Sequence, residues 1–455
     1  MQDEQQEYLR FKQELEFIQC LCHMGYLNCN FNSDLANKGF FDDPDFISYL
    51  AYLQYWTKSE YSKFIMYRLI RFPQCLHFLK KLQEEEFRQS CKDVNFTNWL
   101  HRQQFFHWFY KDRLQKAVEK SISQWLLVFK VGLKTVCSMI RSTNMNALTL
   151  EMVESLNMSL NGPEVFVLCG DQRVFSVGDD YLWLYNNPRS INKYCAEKAR
   201  CLLRLKNLKG LCVVKGNCMG TAAGLALSCQ YIVGTFSSQI NFPENTFGTS
   251  VDCSALFYLK NLPTGLALYL CLTGSSIKGS DLLFRGLITH FVQEENIERL
   301  IEESKNCADL KVLCDKYAYT PQTNTSQINE HLSEIEEIFG KINSIEGLYE
   351  KLTDKETEFR KHVLHLLSSQ CPLSLNVTLK AFNRCKGKSF EQCVEIGYNL
   401  NVQMMQVNNY NFSLAVFQKL IQKSKSNPQW QPNHYSLVTP SLVNPLFSTL
   451  DIPES

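Results

Sequence analysis

The chain has 455 residues, 45% of them hydrophobic and 20% charged, with a formal net charge of +1. That length suits two or three domains, and the near-zero charge gives no electrostatic case for nucleic acid or a membrane surface as partner. No apolar run reaches the roughly 18 residues of a membrane span, and Met1–Glu7 (MQDEQQE) lacks both the apolar core of a secretory signal and the Arg-rich character of a mitochondrial presequence. The 19 cysteines are scattered among apolar positions, with no CxxC pair and no Cys/His run at zinc spacing. They read as reduced, buried small hydrophobes, and no metal site is expected.

Residues 1–118 are dense in aromatics and carry no strand signal. Phe11, Leu15, Ile18 and Cys22 fall on one helical face, as do Phe46, Tyr49, Leu50, Leu53 and Trp56. Asp42-Asp43-Pro44 starts a helix, Phe72-Pro73 breaks one, Leu76, Leu79 and Leu82 begin another, and Trp99 to Leu114 is a further helical stretch. Four or five helices make a small all-α bundle. Tyr49, Tyr52, Tyr55 and Trp56 cannot all face the core, because residues 55 and 56 point about 100° apart on a helix. Some of them must therefore lie near the surface, where flat aromatic faces can receive an extended, Pro-rich segment.

The character changes near Lys120, and a second domain is expected over residues 122–455. Trp125–Lys134, Glu164–Cys169, Leu211–Val214, Ile232–Phe236 and Ile240–Phe242 suit buried strands, Ala147–Leu160 a helix, and Asn296 to about Lys425 a mainly helical region. Strands alternating with helices argue an α/β domain with a helical C-terminal part. Within it, Phe175-Ser176-Val177-Gly178-Asp179-Asp180 follows a strand. Met219-Gly220-Thr221-Ala222-Ala223-Gly224 opens a helix, and Pro243-Glu244 lies eight residues before Asp252. Small residues at a strand-to-helix turn expose backbone N–H groups that can bind developing negative charge on an oxygen. A carboxylate beside them can act as base or nucleophile, with a second carboxylate to tune it.

Two families share these residues in this order. Glu14–Leu21, Tyr26-Leu27-Asn28, Phe46–Trp56, Glu60-Tyr61, Phe72–Leu76, Leu82-Gln83 and Phe87-Arg88 closely resemble the Mediator subunit 31 family over residues 8–112. The resemblance implies a nuclear, transcription-regulating scaffold that docks onto the seventh Mediator subunit, without direct nucleic-acid or membrane contact. Asn146–Thr149, the turns above, Leu272-Thr273-Gly274, Lys278-Gly279 and Gly286–Val292 resemble the crotonase (enoyl-CoA hydratase/isomerase) superfamily over about residues 125–445, with its ββα spiral. Cys371–Leu375 and Asn427–Pro432 point within it to the mitochondrial 3-hydroxyisobutyryl-CoA hydrolases of valine catabolism.

That second resemblance implies a thioesterase whose only coenzyme is the coenzyme A of its substrate. It places the Val177 and Thr221 amides at the thioester oxygen, Glu244 as catalytic base or nucleophile and Asp252 as its partner. Glu197 would be a further substrate contact beside Thr221, Glu244 and Asp252. Gly224 stands where hydratases carry a glutamate, which favours hydrolysis over hydration. Thr221 stands where the family has glycine, and Gly397 where it tends to have glutamate. The alternatives are an inert crotonase-fold extension on a Mediator scaffold subunit, or two neighbouring genes read as one.

Overall fold

The computed structural model describes residues 2–21, 35–36, 38–58, 60–61, 75–93, 95–97, 100, 125–131, 134–171, 173–307, 309–321, 327–406, 410–424 and 426–450. The chain divides into two compact units, Met1–Val118 and Glu119–Ser455. The predicted segments Tyr26–Asn28 and Phe72–Pro73, along with nearly all of Trp99–Leu114, lie outside the described residues.

In the first unit, helices span Gln2–Cys20, Pro44–Tyr52, Cys75–Lys81 and Glu85–Ser90. The expected start at Asp42-Asp43-Pro44 is present. Asp43 caps the helix by accepting from the Asp45 N–H at 3.0 Å, and Pro44 takes the first turn, where its missing N–H costs nothing. Ile18, Leu50, Leu53, Trp56, Leu79 and Leu82 form the core. The aromatic run divides as its geometry requires. Trp56 is fully buried, whereas Tyr49 and Tyr52 are 37% and 48% exposed. Glu14, itself buried, gathers the polar ends of this run, accepting from Trp56 Nε1 at 3.2 Å and from the hydroxyls of Tyr52 (3.4 Å) and Tyr55.

The second unit is built on two sheets. The first has the order β1 (Leu126–Val131), β2 (Lys134–Met139), β3 (Val165–Cys169), β5 (Lys209–Val213), β7 (Tyr231–Gly234) and β10 (His290–Phe291). The β1–β2 pair is antiparallel and the rest are parallel. The second sheet is β4 (Val174–Ser176), β6 (Asn217–Met219), β8 (Gln239–Asn241) and β9 (Ile277–Lys278), of which only the last pairs antiparallel. Successive strands alternate between the sheets: β3 then β4, β5 then β6, β7 then β8. Each pair is followed by a helix or helical turn, which makes the ββα spiral. β3, in the middle of the first sheet, is buried along its whole length, as its unbroken apolar run requires.

Helices from Ile297 onward follow the spiral, among them Pro372–Cys385, Phe390–Met405 and Tyr410–Val416. They pack onto the spiral through one continuous core that includes Phe339, Leu375, Phe382, Val402 and Phe412. Most of the described cysteines lie inside this core as free thiols. No described helix is long and apolar enough to cross a membrane.

Candidate active site

Three turns meet where strands leave the second sheet. After β4, Ser176 is held by its hydroxyl, which donates to Asn146 O at 2.7 Å and accepts from the Gly178 N–H at 3.1 Å. Gly178 has φ +85°, and a Cβ there would stand 2.7 Å from Met219 O and 3.4 Å from Thr221 N. Glycine is therefore what lets this turn touch the next one. After β6, Gly220 turns the chain with φ +52° into the helix Thr221–Leu227, and a Cβ on it would stand 2.9 Å from Glu244 Oε1. The turns carrying Val177, Thr221 and Glu244 are thus in direct van der Waals succession.

The two predicted amide donors differ in state. Among the described residues nothing accepts from the Thr221 N–H, a first-turn amide without an intrahelical partner. The Val177 N–H donates to Met145 O at 3.1 Å, so a thioester oxygen reaching it displaces that carbonyl. Met145 and Asn146 both adopt the left-handed conformation, φ +50° and +54°, a strained pair that aims this carbonyl at the turn.

Glu244 begins a short 3-10 turn, Glu244–Phe247, fixed from several sides. Asn245 donates to Cys271 O and accepts from the Thr378 hydroxyl, each at 2.8 Å, which ties the turn to two helices. Thr249 closes it by donating to Glu244 O. The Glu244 side chain is 4% exposed, and its Oε1 accepts from the Asp252 N–H at 3.4 Å. No described group bonds to Oε2. Burial, with a further push from the charge of Asp252, raises the Glu244 carboxyl to about 8.

Asp252 has the opposite environment. Its Oδ1 caps the helix Cys253–Leu259, accepting from Ser254 N at 2.9 Å and Ser254 Oγ at 2.6 Å. Its Oδ2 accepts from Asn401 at 3.1 Å and pairs with Lys198 Nζ at 3.1 Å. Burial works against this charge, but Lys198 and the Ser254 donors outweigh it and hold the carboxyl below its usual range.

Sequence reasoning missed Lys198, which is 3% exposed. Its ammonium bonds Asp252, Asp179 (3.3 Å) and the Thr221 hydroxyl (3.2 Å), and Asp179 also accepts from Tyr194 OH at 2.6 Å. The signal was present in the helix Ile191–Asn207. Ile191, Tyr194, Cys195, Lys198, Leu202 and Leu205 all lie on its buried stripe, and a lysine inside an apolar stripe demands a partner. Glu197, expected as a substrate contact, has other neighbours. Its side chain meets Asn157 at 2.6 Å and Arg200, away from this cluster, because adjacent helical residues point about 100° apart.

Gly224 is fully packed: a Cβ there would stand 2.3 Å from Ser254 Oγ, which leaves no room for a side chain. At Gly397 a Cβ would meet Cys253 Cβ at 3.2 Å. Among the described residues no group of His, Cys, Asp and Glu is arranged to hold a metal ion. An open cleft lined by Arg384, Lys388, Glu395 and Phe447 contains none of the groups above.

Comparison with known proteins agrees with this architecture. The enoyl-CoA hydratase/isomerase family model matches residues 135–447, and the Med31 (SOH1) model matches residues 8–112. The mitochondrial 3-hydroxyisobutyryl-CoA hydrolase of Dictyostelium discoideum is 28% identical over 68% of this chain and 88% of its own length. The human protein of the same name is 25% identical, over 74% and 92%. A carnitinyl-CoA dehydratase structure from Mycobacterium thermoresistibile superposes with TM-score 0.65 at 20% identity, over 72% of this chain and 98% of its own. An enoyl-CoA hydratase from Rhodobacter sphaeroides gives 0.64 at 21%, over 71% and 97%; both show the shared fold. The chain belongs to the enoyl-CoA hydratase/isomerase family and carries a Med31-family domain ahead of it.

Proposed function

We propose that residues 119–455 hydrolyse a short 3-hydroxyacyl-CoA thioester, 3-hydroxyisobutyryl-CoA in the first instance, to the free acid and coenzyme A. The observation that carries this reading is Glu244. Its carboxyl is buried, has an unbonded Oε2, lies against the Gly220 turn and is raised to about 8, the environment of an acid–base group rather than a structural carboxylate. The names of the similar hydrolases supply the substrate.

In this scheme the thioester oxygen sits on the Thr221 N–H and, once Met145 O gives way, on the Val177 N–H. Glu244 reacts as carboxylate. As a base it takes a proton from water while the water oxygen adds to the carbonyl carbon. The C–S bond then breaks, and the proton passes from Glu244 to the departing sulfur. As a nucleophile it adds to the carbonyl carbon and the C–S bond breaks, giving an anhydride and the coenzyme A thiolate; water then opens the anhydride to the two acids, and a proton of that water passes to the thiolate. Single-turnover hydrolysis in H2(18)O separates the two, since only the anhydride route can leave label in Glu244. Asp252 orients Glu244 through its N–H and takes no proton. Gly224, lacking the carboxylate of a hydratase, fits hydrolysis.

The N-terminal unit is assigned to the Mediator complex, where the half-exposed faces of Tyr49 and Tyr52 receive a Pro-rich segment of the seventh subunit. That role places the chain in the nucleus, whereas the similar hydrolases are named as mitochondrial. The experiment is steady-state release of CoA thiol by the full chain from 3-hydroxyisobutyryl-CoA, with Glu244→Gln alongside. Turnover abolished by the substitution supports the hydrolase. A folded chain that binds CoA without turnover overturns it and leaves the scaffold role. A peptide crossing residues 112–128, found in cells, supports one continuous product; separate products alone overturn it.

A further inference from the structure

The wider cluster behind Glu244 holds a device that the hydrolase reading does not use. Thr221 carries a side chain at a turn whose backbone must approach the substrate. A threonine there has two ways to sit: toward the reacting thioester, or back into the protein. The structure shows the second. Thr221 is 3% exposed, and its hydroxyl accepts from Lys198 Nζ at 3.2 Å. The same ammonium bonds Asp179, two residues beyond Val177, and Asp252, eight beyond Glu244. One lysine therefore links the elements that carry both amide donors and the carboxylate pair. Its three hydrogens meet three oxygens, so it is fully satisfied where it is.

We propose that Lys198 is a positioning residue. By bonding Thr221, Asp179 and Asp252 together, it holds the Thr221 side chain off the oxyanion turn and so permits threonine where close backbone approach otherwise calls for glycine. The inference rests on the hydrolase reading for its kinetic arm only. The charged and titratable groups facing the ammonium are Asp179 from the turn after β4, Asp252 from the cap of Cys253–Leu259, and Tyr194 and Cys195 from its own helix. The helix Phe390–Met405 contributes the neutral Asn401, through Asp252. Burial opposes the lysine's charge, but Asp179 and Asp252 outweigh it and keep it protonated. The clamp is therefore closed throughout the neutral range.

The test is a set of variants of the full chain. Lys198→Met keeps the length and removes the bonds. Thr221→Val keeps the bulk and removes only the hydroxyl, leaving both ion pairs intact, so it serves if Lys198→Met does not fold. Each is expected to lower kcat about a hundredfold, the cost of spoiling one oxyanion donor, with KM changed less than threefold. Thr221→Gly, combined with Lys198→Met, is expected to recover most of that loss, because no side chain is left to hold back. Additive effects in the double variant, or a Thr221→Val enzyme as fast as wild type, overturn the clamp. If wild type shows no turnover, the hydrolase reading fails and the clamp is judged separately. The 13C shift of the Thr221 methyl then reports its rotamer. A single rotamer in wild type, against averaging of the Thr221 methyl in Lys198→Met or of the valine methyls in Thr221→Val, supports the clamp, and an unchanged rotamer overturns it.

Discussion

Glu244→Gln separates the ionisation of the site from its shape, because glutamine keeps the size of the side chain and cannot titrate. In the folded chain the Glu244 carboxyl is raised from its ordinary 4.5 to about 8 by burial and by Asp252. Between these values the unfolded chain has lost this proton and the folded chain still holds it. The native state therefore binds more protons, and stability falls as pH rises, by about 1.4 kcal/mol per pH unit for one group. Wild-type stability is highest, as far as this group goes, below pH 4.5, is reduced by about 3 kcal/mol at pH 7, and levels off above 8. The variant lacks this slope. Asp252 and Lys198 are common to both proteins and cancel in the difference. So does any fixed cost of seating an amide, which shifts the variant by a constant.

Urea denaturation of the full chain at pH 5, 6, 7 and 8, following the larger unit, should show the variant gaining on wild type by about 1.4 kcal/mol per pH unit. Wild-type kcat/KM should rise through the same interval as the carboxylate form appears, and the variant should have no measurable turnover. Parallel stability lines for the two proteins would refute the raised ionisation, and with it the argument that Glu244 is set apart from ordinary carboxylates.

Two further substitutions follow from the geometry. Gly220→Ala places a methyl 2.9 Å from Glu244 Oε1 at a φ of +52°. It should lower stability by about 2 kcal/mol in thermal melts and cut kcat more than it raises KM, since it displaces the carboxylate rather than the coenzyme. In the first unit, Glu14→Gln replaces the buried carboxylate that accepts from Trp56, Tyr52 and Tyr55. Losing charge-assisted acceptors should cost about 1–2 kcal/mol, seen as a lower melting temperature for that unit and altered near-ultraviolet circular dichroism of its aromatic run.

The parts of this molecule that were legible in the sequence are those with a local physical signature. Asp43-Pro44 announced a helix start. The apolar runs over Glu164–Cys169 and Leu211–Val214 announced buried strands. The spiral was implied only by the family resemblance that the order of the small-residue turns carries. The strands β4, β6, β9 and β10 are only two or three residues long, too short for any periodicity to develop, and were not read. Lys198 escaped because its meaning lies in partners 19, 23 and 54 positions distant in sequence (Asp179, Thr221 and Asp252). Glu197 drew attention through the family resemblance, and in the structure its side chain bonds Asn157. The engagement of Val177 by Met145 O could not be read either, since it depends on two left-handed residues that are not glycine.

The two carboxylates predicted as a pair are divided by their surroundings, and in the proposed hydrolase this decides which of them does the chemistry. Asp252 has four donors on its two oxygens, one of them the Lys198 ammonium, and its pKa is driven down. Glu244 has one long bond and a bare Oε2, and its pKa is driven up. Paired titratable groups pushed apart in this way take different roles. Asp252→Asn tests the division. The amide oxygen can still cap Ser254, so the helix Cys253–Leu259 keeps its start, at a cost of about 1 kcal/mol. Removing the negative charge relieves the repulsion on Glu244 and leaves Lys198 with less of its charge matched. Both effects favour the Glu244 carboxylate. The acid limb of kcat/KM should move below 8, with turnover at the alkaline plateau retained to within about tenfold. Complete loss of turnover at every pH, in a folded variant, would transfer the base role to Asp252. An acid limb that stays in place would show that its charge never reached Glu244.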